Sequence, residues 1–397
     1  MNGRKLQHQR AFTFVELMIA LSLGSLLMLS IYEVFRSNTE QYYLQEQQLE
    51  MGRSLSLSLE FMKEELLSAG RLSARQSALP LAAEARPDPR FCGAQLSVNA
   101  LELFDNEDPG ARNDFPPILN QFGNAIRPDR LRLLVDASGA EPLRVLRGQR
   151  QLQVAPTLAQ HTEVAQRALT EDAEDRFERL YDEQALLRIS DTANDRYDLV
   201  LIQGSDFNNG LPTINLTSNP CVDCSAGGCL VNPVHWVEYA IVPDPTLATA
   251  RRTLLVRRRL SLQDGSLGEP LLQESLTLAP NVIDLQLWGL YDTHRLNEIP
   301  RVPVDPQLSD DRGNWEGEED ALLLRARPQR IRGLELMLSV RSPREDPKHR
   351  VRFDPEGRLG AQERTWFALN GSDRDGYARI RSLIASVSTP NLFQEEQ

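Results

Sequence analysis

No proline precedes Pro80, and no charged side chain interrupts the stretch from Leu17 to Tyr32. Proline in a helix interior removes a backbone donor and clashes with the preceding turn. Its absence leaves the amino-terminal region free to form one long helix. Histidine is also scarce, with five in 397 residues: His8, His161, His235, His294 and His349. Scattered in this way they form no Ser/His/Asp or Cys/His arrangement for nucleophilic catalysis. Neither G-x-x-x-x-G-K-[ST] nor G-x-G-x-x-G occurs, so no phosphate cradle is signalled. The expectation is a protein that is not an enzyme. Basic charge is in deficit as well. The net charge is −12, and Arg4, Lys5 and Arg10 put +3 into the first eleven residues, leaving −15 from Phe12 onward. That balance gives no support to a general nucleic-acid binder, which needs clustered Lys and Arg. One local cluster exists in RTLLVRRRL, where Arg252, Arg257, Arg258 and Arg259 read as the solvent face of an edge strand.

Cysteine is limited to Cys92, Cys221, Cys224 and Cys229, the last three within PCVDCSAGGC. The C-x-x-C spacing suggests zinc, but a second pair at matching spacing is missing and His235 is the only histidine nearby. If the amino terminus is a targeting or membrane segment, the remainder meets an oxidising compartment where disulfides are expected. Two disulfides are therefore the preferred reading. Four cysteines allow three pairings; the reading leans towards Cys92 joining the 221–229 loop.

The amino-terminal run AFTFVELMIAL poses a chemical question: Glu16 sits near the start of an otherwise apolar, membrane-length stretch, Phe12–Tyr32. A secretory signal has a basic head and an apolar core, but a carboxylate at the start of that core is wrong for it. An ordinary anchor needs about 20 apolar residues, and an acid within it is costly and rarely kept without a use. The register of basic head, Phe12, Thr13, Glu16 and apolar run resembles the class III signal of type IV prepilins and type II secretion pseudopilins. The resemblance implies cleavage between Ala11 and Phe12 by a prepilin peptidase, with N-methylation of Phe12. Ala11 departs from the glycine usual before the cut. It further implies that Glu16, with Thr13 beside it, pairs with the new terminal amine of a neighbouring subunit. Such pairing makes a charge tolerable in an apolar bundle.

Beyond the apolar run, Met51, Leu55, Leu59, Met62 and Leu66 recur on one helical face. The helix is expected from Phe12 to about Ser68, with Gly70 as its stop. After Pro80 the period changes to two. Expected strands are Gln95–Phe104, Arg130–Asp136, Leu143–Arg147, Gln151–Ala155, Tyr197–Gly204, His235–Val242, Thr253–Leu260, Leu271–Leu278, Val282–Tyr291, Ile331–Arg341 and Ala378–Ser388. Long loops are expected at Asp105–Pro128, Ser205–Pro233, Asp292–Pro328 and Ser342–Glu363, and Val164–Arg179 reads as a helix or surface insertion. The fold class is α+β: a long amino-terminal helix packed on an antiparallel sheet, pilin-like in its order. The division is 1–11 leader, 12–33 membrane or filament-core helix, 34–70 amphipathic continuation and 71–397 β-rich extracytoplasmic domain, within which 80–230 is a possible insertion.

HWVEYAIV, RTLLVRRRL, LLQESLTLAPNVIDLQLWGLYD, Trp315 and RIRGLELMLSVRS together resemble the second half of PilW-type minor pilins and of the pseudopilin J family. That resemblance implies a minor pilin that primes, and is built into, a type IV pilus, at a tip complex supporting adhesion and motility. Implied partners are other minor pilins, the major pilin, the prepilin peptidase, the assembly platform and a large tip adhesin. The implied location is the inner membrane with a periplasmic domain, then the extracellular pilus. Rival readings are a J-like pseudopilin and a tip receptor for DNA or surfaces. No cofactor is expected. Calcium is the alternative at Asn370, Asp373 and Asp375, or at Asp191, Asn194, Asp195 and Asp198, where turn chemistry explains the residues equally well.

Overall fold

The computed structural model describes residues 13–69, 101–104, 118–119, 125–126, 128–136, 142–154, 177–178, 181, 185–191, 196–208, 211–224, 228–244, 246, 253–263, 266–291, 301–303, 331–345 and 378–389. The chain divides into two compact units, Met1–Gly52 and Arg53–Gln397. One helix, α1 (Phe14–Ser68, 55 residues), supplies residues to both.

In the first unit every large apolar side chain from Phe14 to Phe35 is exposed, Phe14 at 74% and Leu26 at 65%. This helix is long and apolar enough to cross a membrane. Four of its hydroxyls bond back to the helix's own carbonyls. Ser22 donates to the Met18 carbonyl at 2.7 Å, Ser25 to Ser22 at 2.8 Å, Ser30 to Leu26 at 3.0 Å and Thr39 to Phe35 at 2.8 Å. A bilayer offers no water to polar groups, so serine is cheap there when it bonds back to its own helix.

In the second unit α1 buries Leu55, Leu59, Met62 and Leu66, the expected stripe. The helix ends with the Ala69 amide donating to the Glu65 carbonyl at 2.8 Å. Gly70, its expected stop, lies outside the described residues. The strands are β1 (Leu101–Phe104), β2 (Ile118–Leu119), β3 (Ala125–Ile126), β4 (Arg130–Asp136), β5 (Leu143–Arg147), β6 (Gln151–Val154), β7 (Leu186–Asp191), β8 (Arg196–Asn208), β9 (Leu211–Leu216), β10 (Cys229–Pro243), β11 (Thr253–Gln263), β12 (Ser266–Pro280), β13 (Val282–Tyr291), β14 (Arg301–Pro303), β15 (Ile331–Glu345) and β16 (Ala378–Ser388).

β10 is the spine. Its first half pairs with β5 on one flank and β7 on the other, and its second half pairs with β4 and β11. The pairings β10–β5–β6–β9–β8–β7–β10 close on themselves, all antiparallel, into a six-stranded barrel. Leu152, Ile189, Ile202, Ile214 and Val231 fill its interior, so it is a packed core. Gly148 makes the β5–β6 turn possible: its φ is +134°, and a Cβ there would lie 1.9 Å from the Gln151 carbonyl oxygen.

A second sheet, β14–β13–β15–β16, buries Leu285, Leu287, Leu334, Leu336 and Leu338. It is joined to the first at two points. The Asp129 amide donates to the Leu285 carbonyl at 2.8 Å, and the Asp129 carboxylate accepts the Leu287 amide at 2.7 Å. At the β12–β13 turn, Asn281 takes a positive φ of 58° and its amide donates to Thr253 at 2.6 Å.

Strand segments fall within the expected loops, most of whose other residues in 105–128, 292–328 and 342–363 lie outside the described ones. Ser205–Pro233 holds the end of β8, all of β9 and the start of β10; Asp105–Pro128 holds β2 and β3; Asp292–Pro328 holds β14; and β15 runs past Ser342 to Glu345. Part of the Asn, Gly, Ser and Pro content that suggested a loop at 205–233 lies within the strands themselves, with Pro212 and Asn215 in β9 and Asn232 and Pro233 in β10. Thr213–Ile214–Asn215–Leu216 still alternates, with Ile214 and Leu216 inside the barrel.

Candidate functional site

Glu16 is the acid the sequence singles out, and the structure gives it local partners. Its carboxylate accepts the Thr13 amide at 3.0 Å and the Thr13 hydroxyl at 2.9 Å, while the Glu16 amide donates to the Thr13 hydroxyl at 3.3 Å. Thr13-x-x-Glu16 is thus a reciprocal capping box, Thr13 as N-cap and Glu16 at the third helical position. A helix start exposes amides with no partner in the preceding turn, and in lipid each would be costly. The box satisfies two of them, the amides of Thr13 and Glu16, with side chains already present. T-x-x-E ahead of an apolar run signals a helix start, a signal separate from the pairing that resemblance implies. Ala11 and Phe12 lie outside the described residues.

A second acid, Glu65, fixes the far end of the helix to the sheet. It accepts the Tyr239 hydroxyl of β10 and the Arg257 Nε of β11, the latter at 2.8 Å, and the Arg257 guanidinium also sits 6.0 Å from the Phe61 ring centroid. Burial and then the Glu65 charge push the Tyr239 phenol up, so it remains a donor.

On the opposite face of the same strands lies a row of alternating charge, Glu102–Arg132–Glu238–Arg258, each a register partner of the next across β1, β4, β10 and β11. Glu238 is buried at its centre. It accepts Arg258 at 2.5 Å and Arg132 at 2.9 Å, and Arg130 reaches it at 3.4 Å. Burial alone would raise its carboxyl; Arg258, Arg130 and Arg132 outweigh that and hold it below the usual carboxylate range. Arg130 and Arg132 also lie over the Phe104 ring, at 5.3 and 4.5 Å.

This arrangement corrects the expectation for the arginine cluster. β11 is no edge strand, because it lies between β10 and β12. Arg258 and Arg259 are buried, and the cluster's described members each meet an acid: Arg257 with Glu65, Arg258 with Glu238, and Arg259 with Glu274 at 3.2 Å. Arg252 is outside the described residues. Alternation sends the guanidiniums to both faces of the sheet, where carboxylates neutralise them.

The cysteine loop closes one side of the barrel. Cys224 and Cys229 form a disulfide and are buried in the barrel core with Val222, which overturns the zinc alternative for that pair. Cys221 is disulfide-bonded too, and its partner lies outside the described residues, as does Cys92. Asp198 holds the loop by accepting the Cys221 amide at 2.8 Å as well as the Leu199 amide at 2.9 Å. Burial raises its carboxyl, and those two bonds oppose the rise. Asp198 is therefore a loop anchor, and Asp191 opposes Arg196 in the β7–β8 register, while Asn194 and Asp195 lie outside the described residues. Among the described residues no group of three or more His, Cys, Asp and Glu is placed to hold a metal ion. Asn370, Asp373 and Asp375 fall outside them.

A family model described as "Prokaryotic N-terminal methylation motif" matches residues 6–32. Neither a curated protein nor a solved structure shows significant similarity to the chain. The motif implies processing by a prepilin peptidase and assembly with other pilins, and the apolar helix behind it fits membrane anchoring followed by incorporation into a filament. A class III, prepilin-type signal thus heads an α+β, pilin-like architecture, and that motif indicates a type IV pilin- or pseudopilin-like protein.

Proposed function

We propose that this chain is a minor pilin that primes assembly of a type IV pilus and is built into it, at a tip complex supporting adhesion and twitching motility. The observation that carries the reading is the Thr13–Glu16 capping box at the head of a helix whose apolar side chains from Phe14 to Phe35 are exposed, in register with the methylation motif. Before assembly the helix spans the inner membrane, with the sheet domain in the periplasm. Cutting between Ala11 and Phe12 creates an α-amino cation one residue before Thr13. In an apolar bundle that cation and a carboxylate stabilise each other only as a pair. Glu16 then serves two ends of one problem: it caps its own helix in the membrane and receives a neighbour's amine in the filament. Other minor pilins, the major pilin, the assembly platform and a tip adhesin are the partners of this reading, and the role is structural, with neither catalysis nor cofactor. A DNA-receptor role draws no help from Arg257, Arg258 and Arg259, which are already matched by acids.

Two measurements test it. Mass spectrometry of protein from sheared filaments is expected to show methylated Phe12 as the first residue; any other start overturns the processing claim. Glu16→Ala is expected to leave cleavage intact and reduce incorporation into filaments, and wild-type incorporation would remove the assembly role.

A further inference from the structure

The six-stranded barrel is an excursion from a single point of the sheet. The chain leaves β4 at Asp136 and re-enters β10 at Val234, and these two residues are register partners. Antiparallel neighbours of that kind need only a short turn between them. Here the connection builds a closed barrel with its own core and its own disulfide. Every buried residue of that core falls between Val145 and Val231, including Leu152, Tyr181 and Ile214. Cys224–Cys229 is internal to it.

Its surface is unlike one meant to be covered by neighbouring subunits. Ring closure gives each of its strands two antiparallel neighbours, so among the described residues none of the six is a terminal strand of the ladder. Its exposed described side chains include Arg144, Gln151, Arg196, Gln203 and Asp206. Leu146, at 43%, is its one exposed large hydrophobic side chain among the described residues. Buried interface centres are depleted in charge and enriched in apolar and aromatic groups; what the described residues of the barrel expose has the opposite character, while its apolar outer side chains Leu186, Tyr197 and Leu199 are already buried with Trp236 and Leu260 of the same chain. Most of the exposed large apolar side chains among the described residues lie on α1 instead, with Leu276 on β12 and Leu383 and Ile384 on β16 the others outside the barrel. We infer that the barrel is a display module: it stands outside the contacts that build the filament and remains solvent-facing in the assembled state.

This rests on the minor-pilin reading, and labelling separates the two. Gln151→Cys on β6 and Gln203→Cys on β8 are each reacted with a membrane-impermeant maleimide, on intact filaments and on the same filaments dissociated in detergent. The expected result is no loss of labelling rate in the intact filament at either position. Loss of labelling at both positions, restored by dissociation, overturns the inference while leaving the pilin reading in place. Absence of the protein from filaments overturns the pilin reading itself.

Discussion

Glu238→Gln is the sharpest test of the sheet's electrostatics. The substitution keeps shape and removes one charge from a site where the Glu238 side chain is 1% exposed and Arg258 is 10% exposed. Removing one member of a buried pair costs about 3–5 kcal/mol, because the remaining charge stays desolvated. The lower end applies here: Arg130 and Arg132 are 22% and 20% exposed, and Arg132 keeps Glu102 at 3.9 Å. About 3 kcal/mol is a large part of the 5–15 kcal/mol that stabilises a typical domain. With urea m-values of about 1–3 kcal/mol/M or more, the midpoint falls by about 1 M. The assay is urea unfolding of the full chain in detergent, followed by far-ultraviolet circular dichroism. Glu238→Leu combined with Arg258→Met should recover most of the loss, since apolar replacement of both partners is often neutral. A midpoint unchanged by Glu238→Gln refutes the reasoning. The sign with pH follows from the depressed carboxyl: its stabilisation is present above the ordinary glutamate range and is lost as pH falls through the lower folded value.

Other outcomes follow from single sites. Asp284 is buried on β13, accepts Gln286 at 2.8 Å, and burial pushes its carboxyl up to about 7. The folded state therefore holds a proton the unfolded state releases, so stability falls as pH rises from about 4 to 7. Asp284→Asn should flatten that slope and gain on the order of 4 kcal/mol over wild type at pH 8; an unchanged pH profile in thermal unfolding counts against it. Non-reducing peptide mapping should recover Cys224 linked to Cys229 and Cys92 linked to Cys221, whereas free Cys92 thiol would contradict the second pair. Gly148→Ala should cost about 1–3 kcal/mol by strain at the β5–β6 turn, read as a lowered urea midpoint.

The helix and much of the sheet were legible because their signals are local. The apolar stripe Leu55, Leu59, Met62 and Leu66 appears buried as its spacing implies, and Arg130–Asp136, Leu143–Arg147, Val282–Tyr291 and Ala378–Ser388 are strands at the expected bounds. The barrel was not legible. β7 and β9 are six residues each, and β9 begins Leu211–Pro212, a dipeptide that reads as a turn. Closure depends on β10 pairing with β5 and β7 at once, and no residue pattern within either segment announces it.

The same contrast explains which acids could be found. Glu16, Glu65 and Glu238 each hold a carboxylate against donors. Glu16 takes its donors from three residues away, so T-x-x-E displays the whole device in the sequence. Glu65 takes its donors from 174 and 192 residues away, and two of the three on Glu238 come from 106 and 108 residues away. What betrayed Glu238 was only its place in an apolar strand, Trp236–Ala240. A buried acid there requires cations from its neighbours, and the otherwise puzzling arginines of RTLLVRRRL are where part of that requirement is met. Acid and arginine were each ambiguous alone; only the β10–β11 register makes them explain one another.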